Sequence, residues 1–201
     1  MSKTIHIVAC GESGRLWPGI GISIGVNDAE KFGKRCTYLA NFNHPSKFRN
    51  EPDRMKTILA GRPEKFFTHA ASWRHHFTTV ELIKTHEYNR RAKKGMYYHK
   101  RTTPIVAICI AWAMGATEIV LWGVDMVNHK SYRPGMKYFD RELKAYVDLC
   151  GEIRKQGVNV CVGAAGSVLC AHLPMWEPAE FYHEKTARTG INMMSEKIVS
   201  E

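Results

Sequence analysis

Residues 101–128, RTTPIVAICIAWAMGATEIVLWGVDMVN, hold a helix, a turn and a strand in the order that defines a parallel α/β sheet. Thr103 can cap the helix and Pro104 suits its first turn, after which Ile105 to Met114 is apolar almost all round, as a helix buried against a sheet must be. Gly115 breaks it. The β-branched, nearly charge-free run Glu118–Trp122 then reads as a central strand covered on both faces. Gly123-Val124-Asp125 follows the carboxyl end of that strand, where open α/β sheets bind ligands, so Asp125 is expected at the rim of a site.

Upstream, Thr4 to Cys10 reads as a first strand broken by Gly11-Glu12-Ser13-Gly14. This loop is either one that lets backbone N–H groups approach a phosphate or ribose, or a simple tight turn, since it has neither Walker nor GxGxxG spacing. Ile20 to Val26 is a second strand, and Asn27 beyond it either hydrogen-bonds a base or ribose or caps a helix starting near Ala29. Cys36 to Asn41 is a third, ending in Asn41-Phe42-Asn43-His44-Pro45. Three strands that all end in small polar residues predict one crevice along their carboxyl ends. Asp53–Leu59 reads as a short helix and Lys65–Thr68 as a strand. His69, His75 and His76 have no Cys or carboxylate to complete a ligand set, so no metal is expected. The run Lys84 to Arg101 carries Lys84, Arg90, Arg91, Lys93, Lys94, Lys100 and Arg101 with Tyr88, Tyr97 and Tyr98 between them. It is either a phosphate- and base-binding run or a solvated face.

Downstream of Asp125, the polar, Gly/Pro-broken segment Asn128 to Lys137 predicts a loop over the crevice that carries His129, Tyr132 and Arg133. Phe139 to Gln156 is an amphipathic helix, with Leu143, Val147, Cys150 and Ile153 at helical spacing, and Val158 to Val162 is the last strand. The tail holds one further helical stretch, around Pro178 to Thr186.

The chain of 201 residues, 44% hydrophobic, suffices for one core. The expected fold is therefore a single α/β Rossmann-like domain over residues 1–174, a mostly parallel sheet with helices on both faces, and a C-terminal tail over 175–201. The six cysteines form no CxxC pair and four lie in apolar runs, which fits a reducing, cytoplasmic setting. No apolar run reaches membrane-spanning length. A net charge of +10 and a pI near 9.4 favour an anionic partner: nucleotide, nucleic acid or anionic glycan.

Taken in order, these pieces resemble the bacterial lipooligosaccharide sialyltransferases and the wider set of small Rossmann-like glycosyltransferases, phage members included. The first strand with Gly11-Glu12-Ser13 is similar to that family's strand ending in Gly-Pro-Ser, and the second strand ending at Asn27 to its strand ending in a nucleotide-binding Asn. Asn43-His44-Pro45-Ser46 resembles its Asn-Pro-Ser segment, Thr102 through Asp125 its Thr-Ser-Gly helix, strand and Gly-Ile-Asp, and Val160 to Leu169 its terminal strand. The resemblance implies that Gly11, Ser13, Asn27 and Asn43 hold a cytidine-type nucleotide and Thr103 the donor sugar. It further implies that Tyr132 binds the phosphate with Arg133 as a cationic neighbour. The chain is shorter than the family between Asp125 and the last helix, and the family's general-base histidine falls on Asp140 when counted back from the last strand.

The function expected from these observations is a nucleotide-dependent, metal-independent transferase, a glycosyltransferase with a nucleotide-sugar donor as substrate and no cofactor. No Asp-x-Asp pair is present to hold a divalent cation, so Ser13, Tyr132, Arg133 and backbone N–H groups would stabilise the leaving phosphate. Asp140 and His129 are the candidates for deprotonating an acceptor hydroxyl. Two alternatives stand beside it: a non-catalytic module binding a nucleotide or nucleic acid in the same crevice, and a phosphotransferase or pyrophosphokinase, which would demand Mg²⁺.

Overall fold

A computed structural model describes residues 2–86, 93–98, 102–127 and 134–178. His129, Tyr132, Arg133, much of the basic run and the helical stretch of the tail lie outside the described residues. The strands are β1 (Thr4–Val8), β2 (Ile22–Val26), β3 (Tyr38–Ala40), β4 (Lys65–Thr68), β5 (Val80–Leu82), β6 (Thr85–His86), β7 (Tyr97–Tyr98), β8 (Glu118–Trp122) and β9 (Asn159–Val162). Between them lie the helices α1 (Pro52–Ala60), α2 (Thr103–Ala113) and α3 (Phe139–Lys155). Seven strands form one sheet in the order β5-β4-β3-β2-β1-β8-β9, and every neighbouring pair is parallel. The Rossmann-like α/β architecture is thus as the sequence predicts.

The chain winds outward from β1 to β5, then returns to place β8 on the other side of β1. The strand order reverses at β1/β8, and at such a reversal the two flanking connections leave toward opposite faces and open a cleft between them.

Period-two alternation divides the core. Ile5, Ile7, Ile24, Val26, Ile119, Leu121, Val160 and Val162 pack with α2 and α3 on one face. Val8, Leu39, Phe66, Val120, Trp122 and Cys161 pack on the other with Trp17, Phe48, Trp73 and Ile58 of α1. Helix α2 is buried at every position from Ile105 to Trp112, which explains why its sequence shows no polar face.

Several boundaries differ from expectation. β1 ends at Val8 and β2 begins at Ile22, because Gly19 and Gly21 adopt φ of +80° and +75° in a turn that no strand can include. Thr103 is not the cap of α2. It sits inside the first turn, while Thr102 takes the capping position with an extended backbone and makes no side-chain cap bond. Instead the Tyr146 hydroxyl of α3 donates to Thr102 Oγ1 at 3.0 Å, tying the two helices together. β5 escapes the sequence reading because it is a short, largely exposed edge strand, held to β4 in part by the Lys65–Glu81 ion pair at 3.0 Å. Met175 bridges to Val162, and Trp176 packs its ring against Trp122. Among the described residues no helix is long and apolar enough to cross a membrane.

A buried histidine adds a pH dependence to this core. His6 of β1 lies among Trp17, Trp122 and Trp176, and its Nδ1 accepts from Trp122 Nε1 at 3.1 Å, which fixes the neutral ring with its proton on Nε2. Burial lowers its pKa against the weaker opposing pull of Glu118. The unfolded chain therefore binds this proton first. Stability should be independent of His6 above about pH 6.5 and should fall by up to ~1.4 kcal/mol per pH unit between that value and the lower folded pKa. Urea unfolding from pH 8 to 5 on wild type and His6→Gln checks this, the variant losing that share of the slope.

Candidate functional site

Four adjacent strand ends line one edge of the sheet: Asn43 beyond β3, Asn27 beyond β2, Gly11 and Ser13 beyond β1, and Gly123 to Asp125 beyond β8. The N-terminus of α2 brings Thr103 to the same row, with its Oγ1 3.5 Å from Asn27 Oδ1. The structure brings Gly11, Ser13 and Asp125 into one contacting group and Asn27, Asn43 and Thr103 into a second, on neighbouring strand ends of one sheet edge.

At the β1/β8 reversal the two loops clamp one another. Gly11 N–H donates to the Gly123 carbonyl at 2.9 Å, Ser13 N–H donates to Asp125 Oδ2 at 2.9 Å, and Gly123 N–H donates to Ser13 Oγ at 2.9 Å. The Ser13 hydroxyl donates to Asp125 Oδ1. Both oxygens of Asp125 are therefore engaged by Ser13. The glycines have a reason the sequence could not give: a Cβ on Gly11 would meet Asp125 Oδ2 and the Gly123 carbonyl at 2.5 Å, and one on Gly123 would meet the Ala9 carbonyl at 2.3 Å. Gly11 is required by the loop crossing itself, whatever anion approaches it. The loop after β9 braces the far side, where Ser167 Oγ donates to the Val124 carbonyl at 2.7 Å and Val168 N–H to the Asp125 carbonyl at 3.0 Å.

The second half of the row is a chain of amides. Asn27 adopts φ +56°, a left-handed backbone that Asn tolerates better than most residues, and its N–H donates to the Ala40 carbonyl at 3.0 Å. It is not the helix cap; the short turn that follows, Ala29–Phe32, has Asp28 at its capping position. Asn43 is fixed on three sides: its backbone N–H donates to Asn41 Oδ1 at 3.0 Å, its carbonyl accepts from buried Trp73 Nε1 at 2.8 Å, and its Nδ2 donates to Asn27 Oδ1 at 3.2 Å. Beneath Asn27, Asp28 is buried and accepts from Arg54 Nε and Nη2 at 3.0 and 2.8 Å. Burial alone would raise the Asp28 carboxyl, but the hydrogen bonds from Arg54 and Cys10 outweigh it and hold its pKa below the usual value. Burial and the neighbouring Asp28 charge push the Cys10 thiol up to about 12, so it stays protonated, and its single S–H is shared between Asp28 Oδ1 and the Val26 carbonyl, both 3.1 Å from Sγ. β1 and β2 are thereby pinned together at the crevice floor.

Asp140 lies in the first turn of α3 and is exposed, while Glu142, two residues on and so about 200° around the helix, is fully buried. Glu142 shares its face with Tyr146, one turn along, whose hydroxyl reaches Thr102 at the start of α2. Arg141 Nη2 donates to Glu142 Oε1 at 3.2 Å. The inward carboxylate of this turn is thus Glu142. The sequence held a signal for it, since Glu142 and Tyr146 fall in phase with the apolar positions Leu149, Cys150 and Ile153. Lys47 and Arg54 also join the site unannounced by any motif. Among the described residues no group of three His, Cys, Asp or Glu side chains is arranged to hold a metal ion.

Comparison of this architecture with solved structures finds the sialyltransferase CstII from Campylobacter jejuni in several forms. The complex with the substrate analogue cytidine-5′-monophosphate superimposes with a TM-score of 0.51 at 16% identity, covering 86% of this chain and 84% of that one. The complex with CMP-3FNeuAc gives 0.52 at 16% identity over 86% and 85%, and the complex of CST-II with trisaccharide acceptor and CMP gives 0.51 at 16% over 86% of each. No protein-family model matches the chain, and no curated protein matches it in sequence. The chain has a sialyltransferase-like fold.

Proposed function

We propose that a chain with this fold is a nucleotide-dependent transferase that moves a sugar from a cytidine-type nucleotide sugar to an acceptor hydroxyl without a metal ion. One observation carries the reading: Asn27, Asn43 and Thr103, polar groups on three separate elements, contact one another at the sheet edge next to the strand end that carries Ser13 and the strand-order reversal. A row of this kind suits a ribose, a base edge and a phosphate, and the solved neighbours bind CMP. Asn27 and Asn43 are proposed to hold the nucleotide and Thr103 the sugar, beside a Gly11–Gly14 loop whose Gly11, Ser13 and Gly14 N–H groups are spent within the protein. Tyr132 and Arg133 are proposed to stabilise the phosphate as it leaves with the electron pair of the broken bond. The acceptor is proposed to be an anionic glycan drawn by the basic run; a labelled oligonucleotide would compete with it if nucleic acid were the true partner.

The acceptor proton needs a base, and three residues are proposed for it: Asp140 and Glu142 in the first turn of α3, and His129 from the sequence segment that precedes it. Loss of the residue that takes this proton should lower turnover roughly 10²- to 10⁴-fold. The test is transfer from a panel of nucleotide sugars, with EDTA present, by wild type and by Asp140→Ala, His129→Ala and Glu142→Gln. Full turnover in all three variants removes every base assigned here. Saturable nucleotide binding with no turnover by wild type would make the chain a binding module instead, and activity restored only by Mg²⁺ would end the metal-free reading.

A further inference from the structure

The amides of the crevice have a fixed polarity, and an exposed lysine sets it. Lys47 Nζ lies 3.1 Å from Asn43 Oδ1. An ammonium group can only donate, so the atom of Asn43 that faces it must be the oxygen. The other arm of that amide is then an NH₂ group, and it points at Asn27, 3.2 Å from Oδ1. Asn27 must answer with its oxygen, which the Thr103 hydroxyl also approaches at 3.5 Å. Turning either amide over would set NH₂ against NH₂, or an NH₂ group against the ammonium. The remaining arm of Asn27 is its own NH₂ group. Among the described residues nothing accepts from it, and Asn27 is half-buried at the row's centre.

From this chain we infer that Lys47 is a positioning residue that fixes Asn27 as a hydrogen-bond donor to the ligand. The crevice therefore takes an acceptor atom at that point, a base carbonyl or a ribose or phosphate oxygen, and rejects an exocyclic amine. Lys47 acts through Asn43 without touching the nucleotide. The inference rests on the nucleotide reading of the crevice proposed above.

The test is calorimetric binding of CMP to wild type, Asn27→Ala, Asn27→Asp, Lys47→Met and the Lys47→Met/Asn27→Ala double variant, in high salt to screen long-range repulsion. Asn27→Ala should weaken binding by roughly 5- to 150-fold. Asn27→Asp keeps an oxygen for Asn43 and Thr103 but puts a second oxygen where the donor was, so it should bind more weakly than the alanine variant. Binding by Asn27→Asp equal to or tighter than Asn27→Ala overturns the assigned polarity. Lys47→Met should cost roughly twofold or more in wild type and nothing measurable in the Asn27→Ala background, because its effect passes through that amide. An equal cost in both backgrounds would mean a direct pull on the phosphate and would overturn the positioning role. Should Asn27→Ala bind too weakly to titrate, the side-chain NH₂ resonance of Asn27, identified by its absence in Asn27→Asp, gives the answer directly. It should shift on adding CMP in wild type and less in Lys47→Met; no shift overturns the inference. Failure of wild type to bind any nucleotide would instead sink the nucleotide reading, and this inference with it.

Discussion

Gly123→Ala should destabilise the fold by roughly 2–5 kcal/mol and abolish the proposed nucleotide binding with it. Two costs combine. Gly123 sits at φ +68°, where an L side chain costs about 1–2 kcal/mol. Its new Cβ would lie 2.3 Å from the carbonyl of Ala9, a residue whose own N–H is tied to the Trp122 carbonyl at 2.7 Å, and forced packing of this kind costs about 1–3 kcal/mol more. The strain falls on the loop crossing that orders Gly11, Ser13 and Asp125, so the damage should be functional as well as thermodynamic. Urea unfolding and calorimetric CMP titration check both parts. Gly115→Ala is the control: Gly115 has φ +83° but open space around its Cβ position, so it should show the backbone cost alone. Equal losses at the two positions would mean that the loop crossing contributes nothing.

Trp112→Ala should cost about 3–5 kcal/mol, a large part of the stability of a domain this size. Trp112 is only 2% exposed at the end of α2, in the cluster that joins this helix and α3 to the sheet. Its removal takes a large apolar surface from the core and leaves a cavity between elements too well tied to collapse into it. Thermal or denaturant unfolding measures the loss. The crevice lies at the other end of α2, where Thr103 is nine residues and so roughly 14 Å from Trp112 at 1.5 Å per residue, so the proposed nucleotide affinity should hold in the folded fraction. A loss under 1 kcal/mol would show that the helix is packed far more loosely than its burial indicates.

The elements most readable in the chain were those whose burial leaves no choice of pattern. β8 and β4 run at their expected bounds, and α2, α3 and β9 fall within a residue or two, because apolar runs and amphipathic periods report burial directly. The positions of Gly11, Ser13, Asn27, Asn43, Thr103 and Asp125 after strands or at the start of a helix were legible for the same reason, since parallel strands in one sheet must end on one edge. Residue type alone could not reveal what each group faces. Period and propensity do not encode that Ser13 occupies both oxygens of Asp125, that Gly11 is small because a second loop crosses it, or that Lys47 orients an amide two links away. These are contacts between residues from 4 to 112 positions apart, decided when the strands take their order. Along the chain the helical period sets Glu142 on the apolar face of α3 and Asp140 off it, but what that face meets, and so that Tyr146 beside Glu142 ties α3 to the start of α2, is decided by the packing of the two helices.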